Sequence, residues 1–233
     1  MEGLAGLIDH APLFPPASLD LEAAVLADAR ARSSDYAWML ARFVCPASRL
    51  ADLGAVRGWD GAPPISVVLD GGDWRDSGAP VAAVEMVGVS REDLADVETF
   101  CELPLEEGWR ETLGEIAEAG AKAKVRCGGA TVPSEAQLAA FVVGARDAGV
   151  EWKATAGLHH PVRSEREHGF LNLLLAAARA EDGADEAAVR AVLAEREPAV
   201  LREAVERPRA RFRSIGSCSF AEPVEDLQAL GIL

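Results

Sequence analysis

Residues 121–129 read Ala121-Lys122-Ala123-Lys124-Val125-Arg126-Cys127-Gly128-Gly129. Cations and small or apolar residues alternate with a period of two, the period of a β-strand. Lys122, Lys124 and Arg126 therefore share one face, and Ala123, Val125 and Cys127 share the other. The glycines end the strand. A helix is then expected over 134–148, opened by Ser134-Glu135-Ala136-Gln137, in which Ser134 can cap and Gln137 can reach back to complete a capping box. A strand that feeds a helix is the repeating unit of a parallel α/β fold.

Working outward, the same alternation recurs along the chain. Eight strands are expected: Leu4 to Asp9, Arg42 to Cys45, Ile65 to Asp70, Val81 to Val87, Thr99 to Leu103, Ala121 to Cys127, Val150 to Ala156 and Phe212 to Ser217. Helical patterns fall near 19–32, 48–56, 91–97, 106–119, 134–148, 165–206 and 224–230. Eight strands with intervening helices in 233 residues predict a compact (β/α)8 TIM barrel forming one domain over 1–233. Residues 71–80 are too few and too rich in Gly and Asp for an ordinary crossover helix, so one crossover is degenerate or one strand misassigned. The stretch 165–206 is longer than one barrel helix needs, and Glu181-Asp182-Gly183 marks a break within it.

Composition narrows the function. With 23 basic and 38 acidic residues the chain carries a net charge of −15, the wrong sign for holding nucleic acid or an anionic membrane surface. The longest apolar run, around Phe170 to Ala178, is interrupted by Asn172 and falls short of the roughly 20 residues of a membrane span. Met1-Glu2-Gly3-Leu4 lacks the basic stretch of a secretory signal. Cys45, Cys101, Cys127 and Cys218 form no C-x-x-C pair, so neither a disulfide framework nor a zinc knuckle is expected, and reduced thiols in a cytoplasm are the plain reading. A small-molecule substrate is the expected partner. No cofactor or metal is called for, and the oligomeric state stays open, a homo-oligomer included.

Twenty of the 23 basic residues are Arg, and the three lysines, Lys122, Lys124 and Lys153, fall within 32 residues. In a barrel the outward strand face packs under helices, so the cationic face of 121–127 must line the lumen. In the seventh strand Lys153 and Thr155 share a face, and Gly157 follows. Counted back from these glycine ends, Lys124 and Lys153 lie at nearly the same depth on neighbouring strands. Two ammonium groups in a dry interior lower each other's pKa, one way for a lysine to become an amine able to attack a carbonyl; Arg cannot do this. A structural reading of the same residues pairs both lysines with inward carboxylates such as Glu85 and Glu102.

Three segments carry a resemblance: Lys124-Val125-Arg126-Cys127-Gly128, Lys153-Ala154-Thr155-Ala156-Gly157-Leu158 and Ile215-Gly216-Ser217-Cys218-Ser219. In order and spacing they resemble the deoxyribose-phosphate aldolase-like group of class I aldolases, over about residues 122–220. The resemblance implies a Schiff base on Lys124, assistance from Lys153, and help with phosphate from Gly216 and Ser217. It places a catalytic aspartate at Asp70, with Glu85 as rival. The chain departs from the family at Val125, Arg126 and Cys127, where small hydroxyl residues follow the lysine, and at Leu158-His159-His160-Pro161, where the family is glycine-rich.

The expected function is a Schiff-base-forming aldolase or lyase acting on a small carbonyl compound, phosphorylated or not. Lys124, Lys153, Asp70, Glu85 and Glu102 are the catalytic candidates. Arg126, Gly128, Gly129, Thr155, Gly157, His159, His160, Gly216 and Ser217 are the candidates for holding substrate or its anionic group. Of the four histidines, three follow the seventh strand and His10 ends the first. One of them is suited to moving a proton beside the imine. His168 and Asn172 lie four apart on one helix face, placed to clamp a ligand or to cap and pack. The alternatives are a metal-dependent hydrolase or isomerase using His10, His159 or His160 with Glu85 or Glu102, and a barrel that binds a small ligand without turning it over.

Overall fold

A computed structural model describes residues 1–57, 59, 63–75, 77–89, 96–130 and 132–233. Its eight strands are β1 (Ile8–His10), β2 (Leu40–Pro46), β3 (Ile65–Val68), β4 (Val81–Val87), β5 (Glu98–Glu102), β6 (Lys122–Arg126), β7 (Trp152–Thr155) and β8 (Phe212–Ser217). They pair in sequence order, all in parallel, and β8 closes back onto β1 through Ile8 opposite Ile215 and His10 opposite Ser217. The chain is a closed eight-stranded parallel barrel with interleaved helices, as the alternation predicts.

The helices are α1 (Leu21–Arg32), α2 (Ala47–Leu53), α3 (Trp109–Glu118), α4 (Glu135–Asp147), α5 (Phe170–Glu181), α6 (Glu186–Ala194), α7 (Pro198–Leu201), α8 (Glu203–Glu206) and α9 (Ala221–Ala229). The capping box at α4 forms as read: Ser134 Oγ accepts the Gln137 N–H while the Gln137 side chain accepts the Ser134 N–H. The expected helix over 91–97 falls largely outside the described residues.

One expectation is corrected and two are sharpened. The first strand is shorter than expected, because Glu2–Leu4 wind into a 3-10 turn and Gly6 turns the chain at φ +57° before β1 begins. All eight strands are nevertheless present, so the short 71–80 segment reflects a degenerate crossover. Among the described residues between β3 and β4 no helix forms, and local bonds such as Ser77 Oγ to the Trp74 carbonyl hold the turns. The long 165–206 stretch breaks into four helices, α5 to α8. The first break follows Glu181, where Gly183 takes φ +93°, and Pro198 sits at the start of α7, where its missing N–H is harmless.

The main core lies between barrel and helices. Trp152 stacks on Phe212 at 4.2 Å between ring centroids and meets the edge of Phe141 from α4 at 5.3 Å. Helix α5 is buried almost all round, because α4, α6 and α8 cover the faces it does not turn to the barrel. A second apolar cluster, including Phe43, Leu50 and Ile65, seats α1 and α2 on β2 and β3. With most apolar contacts made outside the barrel, much of the lumen is left to polar side chains, with Val44, Val68 and Phe100 among them. No helix among the described residues is long and apolar enough to cross a membrane.

Candidate active site

The lumen is filled by charge in layers, where such barrels ordinarily carry branched apolar residues. At its amino-terminal end Glu98 of β5 joins Arg42, Lys122 (3.1 Å) and Arg213 (3.2 Å), and Glu151 pairs with Lys122 and Arg213. Lys122 is thus absorbed in a network below the site.

One layer higher, strand register sets Lys124 directly beside Lys153 and Glu102 beside Lys124. Lys153 is completely buried, with Nζ 2.5 Å from Asp9 Oδ2 and 2.8 Å from Glu85 Oε1. Lys124 Nζ lies 3.3 Å from Glu85 Oε2 and 2.9 Å from Glu102 Oε2. Each oxygen of Glu85 therefore serves one lysine, and Ser66 Oγ donates a further bond of 2.7 Å to Oε1. Asp9, with no exposed surface, also accepts from Ser214 Oγ at 2.7 Å and from the Arg42 N–H at 3.2 Å. Phe100 lies beneath, its ring centroid 5.2 Å from Lys153 Nζ.

Burial pushes the Glu85 carboxyl up, but the Lys153 and Lys124 ammonium groups, with hydrogen bonds from Lys153 and Ser66, more than reverse this and bring it to about 2. Burial likewise pulls Lys153 down, and the carboxylates of Asp9 and Glu85 outweigh it, holding Lys153 above its ordinary value. This corrects the expectation that the two lysines lower each other's pKa. For Lys153 the direction is the reverse, because Glu85 stands between the ammonium groups and Asp9 supplies a second counter-charge.

Above this layer a cavity of about 260 Å³ opens at the carboxyl ends of the strands. Lys124, Lys153, Glu85 and Glu102 form its floor, Arg126, Thr155, Gly157, His159, Gly216 and Cys218 contribute wall, and Phe14 and Pro15 come from the loop after β1. Arg126, Thr155 and Gly216 lie side by side in register across β6, β7 and β8. The buried Thr155 hydroxyl oxygen has no hydrogen-bond partner, and Arg126 makes no ion pair or hydrogen bond among the described residues. Both face a space where a ligand would supply partners. A neighbouring cavity of about 330 Å³ shares Glu102 and Arg126 and reaches Gly128.

The strand-end glycines have a packing reason. A Cβ on Gly128 would stand 2.8 Å from Gly157 N and Cα, so the β6 and β7 ends touch backbone to backbone. Ala156 and Gly157 turn the chain with φ of +62° and +63°, and the alanine holds a left-handed conformation at the cavity wall. Gly129, at φ +102°, lies under the Arg126 guanidinium.

Not every candidate reaches this site. Asp70 lies past the end of β3, exposed, accepting the Ser48 N–H at 2.9 Å and the Ser48 hydroxyl. These bonds hold its carboxyl below the usual range, and they place it on the start of α2. Val68 takes the lumen position on β3, and Glu85 is the carboxylate that meets both lysines. Ser217 turns away and donates to the Ser219 carbonyl at 2.6 Å. His160 pairs with Asp226 at 2.6 Å outside the cavity. His10 points out of the barrel, its Nδ1 2.9 Å from Asp28. Among the described residues no group of three His, Cys, Asp or Glu side chains is arranged to hold a metal ion. His168 bonds the Pro133 carbonyl at 2.7 Å, and Asn172 ties Arg163 to Val192 and Glu195, so this pair caps and packs.

His159 does reach the cavity. Cys218 beside it, opposed by burial and aided by nearby Glu167 and Glu222, raises it to about 9. The sequence reading missed Asp9, Ser66, Ser214 and Cys218. Asp9 was legible in principle, since alternation along Leu7, Asp9 and Ala11 turns an acid into the lumen, and two buried lysines demand more than one counter-charge. No known protein-family model matches the chain, and no curated protein matches it either.

Proposed function

We propose that the chain is a Schiff-base-forming lyase of the aldolase type, with Lys124 as nucleophile, acting on a small carbonyl compound that carries an anionic group. The observation that carries this reading is a lysine on the floor of a cavity at the carboxyl ends of the strands of a parallel barrel, next in register to a second, buried lysine and bonded to a carboxylate they share. So much charge in a lumen is costly to bury and has its use where chemistry needs it.

In this mechanism Glu102, 2.9 Å from Lys124 and open to the cavity, accepts the ammonium proton. The free amine adds to the substrate carbonyl, Glu102 returns the proton to the departing hydroxyl, and loss of water leaves an iminium and the Glu102 carboxylate. The carbon–carbon bond then breaks, its electron pair moving into the iminium to give an enamine, while the β-hydroxyl passes its proton to Glu102 and becomes the carbonyl of the first product. His159, on the cavity wall, protonates the enamine carbon, and hydrolysis returns the amine. Lys153, held as a cation by Asp9 and Glu85, keeps Glu85 ionised and fixed beneath Lys124. Arg126 and the Thr155 hydroxyl hold the anionic group.

Borohydride trapping tests the reading. The protein is incubated with small aldehydes and ketones, pyruvate and acetone among them, then reduced and mapped by peptide mass. The adduct is expected on Lys124, with Lys122, tied into the lower network, as an internal control. Adducts spread evenly over the three lysines, or none across the panel, refute the proposal. A site confined to Lys153 moves the nucleophile one strand over.

A further inference from the structure

We infer that the groove between α1 and α9, outside the barrel, is a second small-molecule site, built around His10 and suited to a neutral, flat aromatic alcohol of the phenol class. It uses none of the lysines and stands or falls independently of the lyase reading. The groove offers about 560 Å³, and His10, Ser34, Tyr36, Phe220 and Gln228 are among its walls. Gln228 Nε2 donates to Tyr36 Oη at 2.9 Å, tying the α9 wall to the turn after α1.

His10 sets the chemistry. It ends β1 on the face turned away from the lumen, and only 2% of its surface is exposed. Its Nδ1 meets Asp28 Oδ1 at 2.9 Å, and Arg32, one helical turn further along α1, holds the other Asp28 oxygen at 2.7 Å. A carboxylate paired with a guanidinium only accepts, so in the neutral ring the proton sits on Nδ1 and Nε2 is left as an acceptor. No described residue bonds Nε2, and the ring lines this groove and not the lumen cavity. An apolar molecule seated here would strand that acceptor, whereas one that carries an O–H satisfies it.

The rest of the groove selects the body of the ligand. Ala27 and Ala31 on the α1 side and Ala221 and Val224 on the α9 side are small and apolar, walls suited to the faces of a ring. The Phe220 ring lies beside the imidazole, its centroid 6.4 Å away and its plane tilted by 60°, so a ring that reaches Nε2 also meets an aromatic partner. Arg30 and Glu225 bring one charge of each sign to the groove, which favours a ligand with none.

The test is binding of 2-naphthol to the full chain at pH 8 by isothermal titration, with 2-methoxynaphthalene as the probe that keeps the rings and lacks the donor. 2-Naphthol should bind with a Kd at least about tenfold lower, the difference expected when a buried acceptor is paired or left without a donor. Ala27→Trp, which fills the groove from its α1 side, should weaken 2-naphthol by about tenfold or more. His10→Phe keeps a ring in place and should bring the two probes within about twofold of each other. Equal affinities for the two probes, or no binding of 2-naphthol up to its solubility limit, overturn the inference from the wild-type protein alone. So does an Ala27→Trp variant, folded by circular dichroism, that binds 2-naphthol as tightly as wild type.

Discussion

Glu85→Gln isolates the charge at the centre of the lumen while keeping its shape. The carboxylate faces Lys153 at 2.8 Å and Lys124 at 3.3 Å with almost no solvent contact, and its pKa falls from 4.5 to about 2 on folding. A group depressed in the folded state contributes stability that is fully present above its unfolded value and is lost as pH falls through the folded one. The gap corresponds to about 3 kcal/mol at pH 7, shrinking to about 1 kcal/mol by pH 3. The amide does not titrate, so wild type and variant should differ by about 3 kcal/mol at pH 7 in urea unfolding, and the difference should hold level down to about pH 5 and narrow from there towards pH 3. Circular dichroism at a series of pH values measures both midpoint and slope. A difference that stays constant with pH, or one below about 1 kcal/mol at pH 7, would show that Glu85 is not the ionised counter-charge of the two lysines.

Two further predictions concern the rim. Arg126→Met should lower borohydride-trapped adduct from pyruvate by about tenfold or more while changing the acetone adduct by less than about threefold, the difference expected when one charge-assisted contact is lost. Equal losses would make Arg126 a structural residue. Gly128→Ala should destabilise the barrel by about 1–3 kcal/mol, because its Cβ meets the Gly157 backbone, which cannot yield as a side chain would. Gly114→Ala, inside α3 with open space around the added carbon, should instead stabilise by about 0.5–1 kcal/mol in the same denaturation assay.

The sequence by itself determined the barrel and the floor of its site. Alternation along 121–127 sends Lys124 to the lumen whatever the rest of the chain does, because side chains of a strand leave on opposite faces and the Ala123, Val125 and Cys127 face is needed under helices. Counting from the glycine ends then set Lys124 level with Lys153, since backbone contact between Gly128 and Gly157 ties the two strand ends together. What the sequence could not fix was which charges meet. Barrel closure brings β1 beside β8, and the lumen carries Asp9 across to Lys153, 144 residues away in the chain. It also selects Glu85 over Asp70, because β3 ends at Val68 and the chain beyond bends outward to α2. The histidines separate for the same reason: His10 follows Asp9 and so takes the opposite face of β1, while His159 and His160 diverge from one loop to Cys218 and Asp226. Strand period is a local property of the backbone, legible in a few residues; the pairing of charges across a lumen depends on strand length, stagger and closure, which only the tertiary structure decides.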